Sequence, residues 1–249
     1  MSESAQCNFA ETICRRHQDA IYRIALEEKR CAGSNTYTNG GLDYLSDKFA
    51  STLQQCGVNQ GEVVAVQLCQ SAAFVVAHLG VLKLGAVVAA IPVQMETNFI
   101  KQILHESQPK ALVIDEAEIA QLELLPDSLK DTNIFIATDY VSKNDFANGY
   151  KNLWREINFA DADFQIAETD EASLAYYFSE ADENHQLKKV QVTHGSLLAA
   201  SQPTDSGEAS FRDGELPFQT SKDWAAMEVL TGELLPAWFR GQRVSTRDG

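Results

Sequence analysis

Residues 62–93 limit the fold more than any other stretch: EVVAVQL (62–68), SAAFVVAHLGVLKLG (71–85) and AVVAAIPV (86–93) follow one another almost without a gap. The outer two runs are apolar and β-branched with no polar alternation, the pattern of strands buried on both faces. The middle run is of helical length and apolar nearly all round, so it is buried as well. A strand, a buried helix and a second strand in this order make a crossover unit of a parallel sheet. The pattern recurs in TNFIKQILHES followed by KALVID, and in EIAQLELL followed by NIFIAT. The sequence therefore predicts an α/β fold, doubly wound, with a mainly parallel sheet flanked by helices.

On either side of this unit the reading is less uniform. An opening helix is expected around Phe9 to His17, a strand at IYRIALEE (21–28), a turn at CAGSN (31–35) and a long helix after Thr38. In that helix Leu42, Leu45, Phe49 and Leu53 share one face, and Gly57 stands where a C-terminal cap belongs. Over 152–170 the apolar period fades and acids cluster, which reads as a surface connection. Sheet resumes at Leu174. We expect one domain over 1–249, in a first half 1–166 and a second half 167–249. The second half reads as SLAYYFS, a loop, KKVQVT, a helix from Gly195, a polar loop (201–214), a helix in DWAAMEVLTGELLPAWFRG and a last strand QRVST placed in the same sheet as VQVT. Trp224 and Trp238, fourteen residues apart in that helix, are expected on one face.

The 249 residues are 45% hydrophobic, ample for a core, and carry a net charge of −15. Such a field repels phosphate, so neither nucleic acid nor an anionic membrane surface is expected as a partner. Five cysteines, all within the first 69 residues, are odd in number and form no paired Cys-x-x-Cys zinc pattern. The first residues lack the basic start and apolar centre of a signal peptide, and no run reaches the roughly eighteen apolar residues of a membrane span. A cytoplasmic protein is the expectation.

Residues 178–189, FSEADENHQLKK, join a strand to a strand that enters a helix, which is the layout of a phosphate-binding loop. Such loops need glycines that turn backbone N–H groups toward the phosphates, hydroxyls that donate, and a lysine. This one has no glycine and carries Glu180, Asp182 and Glu183. Asp182, Asn184 and Gln186 alternate like ligands of a hard cation, but the turn glycine and distal glutamate of a calcium loop are absent, so a solvated loop is expected. His78 lies on the apolar helix and reads as a core histidine. His194 follows Thr193, which reads as a helix N-cap.

Two segments, YTNGGLDYLSDKFASTLQQCGVNQGEVVAVQLCQSAAFVVAHLGVLKLGAVVAAIPV (37–93) and SKDWAAMEVLTGELLPAWFRGQRV (221–244), resemble the adenylate-forming superfamily, in particular acyl-CoA synthetases of the acetyl and medium-chain kind. VTHGSLLAA (192–200) is similar to the Thr-His segment after that family's phosphate loop. The resemblance implies the family's N-terminal fold, with Lys188 and Thr193 as vestiges of the nucleotide loop and Asp223 and Trp224 as vestiges of the acyl pocket. Against the family's Tyr-Thr-Ser-Gly-Thr-Thr-Gly-x-Pro-Lys-Gly, Asp182, His185 and Lys189 stand where glycines belong, and Glu180, Ala181 and Glu183 where hydroxyl residues belong. The family's second Trp is replaced by Ala226 and its acyl-pocket glycines by Glu228 and Val229, expected to narrow or close the tunnel. The segments that bind adenine and ribose and supply the catalytic lysine in that family are not found here.

These departures imply a catalytically degenerate relative that serves as a binding or regulatory partner, with no catalytic or metal-binding residue. No cofactor is expected; ATP, magnesium and CoA enter only if the family activity survives. The alternative is an acid–thiol ligase component completed by a second chain. A protein partner or self-association through 216–249, with Trp238 as an anchor, is expected, and a small acyl or nucleotide ligand is the other candidate.

Overall fold

A computed structural model describes residues 6–16, 18–30, 33–122, 129, 131–138, 149–181, 187–202 and 216–247. The crossover unit forms as expected. Strand β3 (Val63–Gln67), helix α3 (Ala72–Lys83) and strand β4 (Val87–Ala90) follow in order, and β3 pairs with β4 in parallel, Val63 opposite Val87 and Val66 opposite Ala90. Every residue of α3 is buried. Ser71 starts the helix by accepting from the Phe74 N–H at 3.2 Å.

The chain then crosses to the other side of β3. Helix α4 (Thr97–Ser107) leads to β5 (Ala111–Asp115), and the short α5 (Ile119–Leu122) precedes β6 (Asn133–Ala137). A two-residue β7 (Lys151–Asn152) and helix α6 (Leu153–Phe159) follow. β8 (Leu174–Ala181) returns to pair in parallel with β4, and β9 (Leu187–Thr193) pairs antiparallel with β8. The seven-stranded sheet runs β7-β6-β5-β3-β4-β8-β9.

Strand alternation feeds two separate cores. Val64, Val66, Val88, Ala90, Val113 and Phe135 face one cluster, with α3 and α2 (Asn39–Gln55). Ala65, Ala89, Leu112, Ile114 and Ile136 face the other, with Ile100, Ile103 and Leu104 of α4. This is the physical content of double winding: strands without a polar face need cover on both sides. Lys83 of α3 is a fully buried cation, which meets Asp43 and Asp47 of α2 at 2.5 and 2.7 Å. Burial pulls its pKa down, but Cys14 and the two aspartates outweigh that and hold it above the ordinary lysine value.

The first and last segments depart from expectation. Helix α1 (Phe9–Arg16) forms, but Ile21 to Arg23 lie in a turn and strand β1 is Ile24–Arg30. The expected turn at 31–35 gives way, from Gly33, to strand β2 (Gly33–Thr38), antiparallel to β1. GSNTYT is polar on both faces because both face outward, so no alternation marks it as a strand. Strand β10 (Val244–Ser245) pairs in parallel with β1, Leu26 opposite Val244, in a separate three-stranded sheet rather than beside β9.

The last helical region is broken in kind. Helix α7 (His194–Ser201) precedes it; α8 (Met227–Val229), a π-turn over Leu230–Leu234 and α9 (Leu235–Phe239) then follow without a gap. Pro236 has no N–H to give the carbonyl four residues back, and the widened turn sits just ahead of it. Trp224 precedes the helix, yet its ring centroid is 6.1 Å from that of Trp238. Fourteen residues on one helix would separate them by about 21 Å, so the two do not share a face of one helix: the 220–226 segment folds back.

Candidate functional site

The strand pair that brackets the expected phosphate loop is an antiparallel ladder with one register shift, between Leu174 and Tyr176. The ladder runs from Leu174 opposite Thr193 through Glu180 opposite Lys188 to Ala181 opposite Leu187. Asp182, Asn184 and Gln186, which carried the cation reading, lie outside the described residues with Glu183 and His185. Lys188 is exposed and stands across the ladder from exposed Glu180, an opposite-charge pair on one face. Lys189 sits 3.6 Å from the centre of the Tyr177 ring. Thr193 caps α7 by accepting from the Ser196 N–H at 3.1 Å. His194 is wholly buried, and its Nδ1 accepts from the Phe9 N–H at 3.0 Å, which leaves the ring proton on Nε2. Burial holds its pKa down at about 4, against an opposing pull from Asp170. It ties α1 to α7 as a neutral ring.

Trp224 is fully buried in an aromatic cluster. Its ring meets Phe74 edge-on at 5.5 Å; Phe74 stacks on His78 at 4.0 Å; the His78 Nδ1 lies 3.1 Å from the Tyr176 hydroxyl, and Tyr176 stacks on Phe178 at 5.4 Å. Burial pushes His78 down to about 3, so the ring stays neutral and is a weak base at physiological pH. Val229 is fully buried, but Glu228 is not a plug: its side chain is 73% exposed and reaches Lys222 at 3.3 Å. Trp238 is only 5% exposed, so it is a core residue and not a surface anchor.

Asp223 is a fastener between segments. One carboxylate oxygen accepts from the Val93 N–H at 2.9 Å and the other from the Ala225 N–H at 2.8 Å, which pins the start of the last helical region to the end of β4. Gln70 does the same beside it. Its amide donates to the carbonyls of Thr220 and Lys222, and its oxygen accepts from the Arg247 N–H.

Two adjoining clefts open at the C-terminal ends of the parallel strands. One, of 480 Å³, is lined by Lys29, Gln70, Val93, Lys222, Asp223 and Arg247 among others. The other, of 500 Å³, is lined by Lys29, Arg30, Cys69, Asp115, Thr138 and Trp154 among others. The strand order turns back between β3 and β5, and Cys69 and Asp115 follow or end those two strands; this is the switch point at which open α/β sheets take ligands. Of the cleft residues named, only Asp223 was singled out from sequence, although for Cys69 and Asp115 a position at or just past the end of a buried parallel strand was signal enough. The chemistry there is inward-looking. The Glu28 carboxylate accepts from the Ala72 N–H at 3.0 Å and so occupies the N-terminus of α3. Asp115 accepts from the Cys69 N–H at 2.6 Å. Burial first and Asp115 second push the Cys69 thiol up to about 12, which removes it as a nucleophile. Among the described residues no group of three or more His, Cys, Asp or Glu is placed to hold a metal ion, and no helix is long and apolar enough to cross a membrane.

Comparison with known proteins places this geometry in a family. The profile described as "AMP-binding enzyme" matches residues 11–178. The nonribosomal peptide synthetase sidN of Epichloe festucae is 27% identical over 84% of this chain, and the 3-hydroxybenzoate–CoA ligase of Aromatoleum sp. is 24% identical over 81% of it. The crystal structure of Brucella canis acyl-CoA synthetase superposes with a TM-score of 0.85 over 99% of this chain at 17% identity. The chain spans 4%, 38% and 44% of these three proteins, respectively. With a family profile over most of its length and the fold of an acyl-CoA synthetase N-terminal domain, the chain belongs to the AMP-binding enzyme family.

Proposed function

We propose that the chain acts as a catalytically degenerate, acyl-CoA-ligase-like binding module rather than as an adenylate-forming catalyst. One observation carries the reading: the β8–β9 ladder persists to Ala181 opposite Leu187. Backbone N–H groups of a phosphate loop must turn together toward the anion, whereas those of a ladder point alternately toward the partner strand and away from it. Glu180 beside Lys188 adds a carboxylate where the γ-phosphate would need only positive charge. The residues present do not fit a magnesium-bound triphosphate, and no step is assigned through one.

What the module binds is either a protein partner or a small acyl or nucleotide ligand. The switch-point clefts favour a small molecule. Leu216, 86% exposed at the start of the 216–249 segment, favours a partner there. A second reading is favoured by the span of the chain relative to its relatives: it is then the N-terminal part of an acid–thiol ligase whose adenine- and CoA-binding parts lie in other sequence.

Calorimetric titration of the chain with ATP and magnesium separates the two. The binding-module reading expects no saturable heat that depends on Lys188, because a nucleotide ligand would sit at the switch-point clefts, which Lys188 does not line. Saturable binding that disappears in Lys188→Ala supports the ligase reading.

A further inference from the structure

Away from the hairpin and the clefts, Cys56 and Lys151 meet at the far end of the sheet. Cys56 ends α2, Lys151 begins β7, and the lysine Nζ donates to the Cys56 sulfur at 3.0 Å. Both side chains are half-buried, so a small solute reaches them. Their approach is fixed by a third residue from a third element. Asn133, the first residue of β6, accepts from the Lys151 Nζ at 2.7 Å and donates to the Cys56 carbonyl at 3.1 Å. The ammonium also lies 5.4 Å from the centre of the Phe135 ring. The other three described thiols do not offer this: Cys7 lies near Glu171 and Asp170, Cys69 beside Asp115, and Cys14, though near Lys83, faces an ammonium already held by Asp43 and Asp47.

We propose that Cys56 and Lys151 form an oxidant-dependent modification site that closes into a covalent sulfur–nitrogen cross-link with hydrogen peroxide as the oxidant. In the first step the thiol sulfur attacks one peroxide oxygen. The O–O bond breaks, sulfur is oxidised to the sulfenic acid, and peroxide is reduced to water. In the second step the Lys151 ammonium releases one proton to solvent and its nitrogen lone pair attacks the sulfenic sulfur. The S–N bond forms, the S–O bond breaks, and the departing hydroxide takes a second proton from nitrogen and leaves as water. The product is a sulfenamide, with two hydrogens fewer than the reduced pair. Holding the amine at hydrogen-bond distance makes the second step effectively unimolecular, so it competes with further oxidation of sulfur. The cross-link would tie the end of α2 to the edge strand β7 of the main sheet.

The test is peroxide treatment of the whole chain, proteolysis and mass spectrometry. The expected product joins the peptides that contain Cys56 and Lys151, lacks two hydrogens, resists trypsin after Lys151 and reverts with dithiothreitol. A product that joins the same two peptides and holds one added oxygen, formed by a second equivalent of peroxide, also supports the site. Lys151→Arg keeps a cation and donors but no attacking amine; it should abolish the cross-link and leave a Cys56 sulfenic acid that dimedone traps. Cys56→Ser should abolish both. Passage of wild-type Cys56 to sulfinic acid with no joined peptide, or a cross-link at Cys56 that survives in Lys151→Arg, overturns the proposal.

Discussion

Replacing Asp223 with alanine distinguishes a residue kept for structure from one kept for chemistry. Its two carboxylate oxygens hold the N–H groups of Val93 and Ala225, at 2.9 and 2.8 Å. The substitution leaves both donors without that acceptor and frees the 220–226 segment from the end of β4. A hydrogen bond to a charged group contributes about 1.5–3 kcal/mol. Asp223 is half-buried and lines an open cleft, so water replaces part of what is lost. Taking each bond at or just below the low end gives a loss of about 2–3 kcal/mol. Urea unfolding followed by tryptophan fluorescence reads this directly, because Trp224 is the next residue and is fully buried. The midpoint should fall with an unchanged slope, since the surface exposed on unfolding is the same. Glu228→Ala on the exposed face of the same region is the control, expected within about 0.5 kcal/mol of the parent. A loss below that margin for Asp223→Ala would refute the fastener role.

Three further outcomes are expected of the folded chain. The histidines His78 and His194 are held at about 3 and about 4 against an ordinary 6.5, so below pH 6.5 the unfolded chain binds protons that the folded chain refuses. Stability is therefore whole above pH 6.5 and falls as pH drops toward 4, by on the order of 1 kcal/mol per pH unit for each ring; urea midpoints at pH 7 and 5 check it, with His78→Gln expected to lessen the slope and a flat profile counting against it. Gly80→Ala in α3 would put a Cβ 2.9 Å from the Phe49 ring and 3.0 Å from the Ser46 carbonyl of α2, and should cost about 1–3 kcal/mol despite alanine's better helix propensity; an unchanged melting temperature would show that the two helices have room. If the segment from Leu216 mediates self-association, Leu216→Ser should lower the mass seen by light scattering, and equal masses for parent and variant would remove that residue from any contact.

The central unit was legible because its physics is local. EVVAVQL and AVVAAIPV lack a polar face, and a strand without a polar face requires cover on both sides; β3 and β4 are parallel neighbours in the middle of the sheet as a result. The elements that escaped notice are those whose cause lies elsewhere in the chain. β2 carries no apolar alternation because it is exposed on both sides. β10 joins β1 through two residue pairs, more than 200 positions apart in sequence, which no local period announces. The contact of Trp224 with Trp238 depends on a π-turn and a fold-back that a strict helical period reads as one straight helix.

The site was legible in a different measure. Thr193 as an N-cap and His78 as a core histidine follow from their flanking residues, and the structure places both so. The residues that line the clefts come from β1, from the ends of β3, β4, β5 and β6, from the starts of α3 and α6 and from the last segment, and the fold alone brings them together. Glu228 was misjudged because sequence position gave its place in the family's pocket but not the direction of its side chain, which Lys222 draws outward.

The proposed degeneracy requires that the ladder between Leu174 and Thr193 not support adenylate chemistry in this chain. Carboxylate-dependent exchange of labelled pyrophosphate into ATP tests it most directly, with magnesium present and a panel of aliphatic and aromatic acids. Exchange no faster than the protein-free blank is expected for every acid. Exchange above the blank that requires an acid and is lost in Lys188→Ala would contradict it.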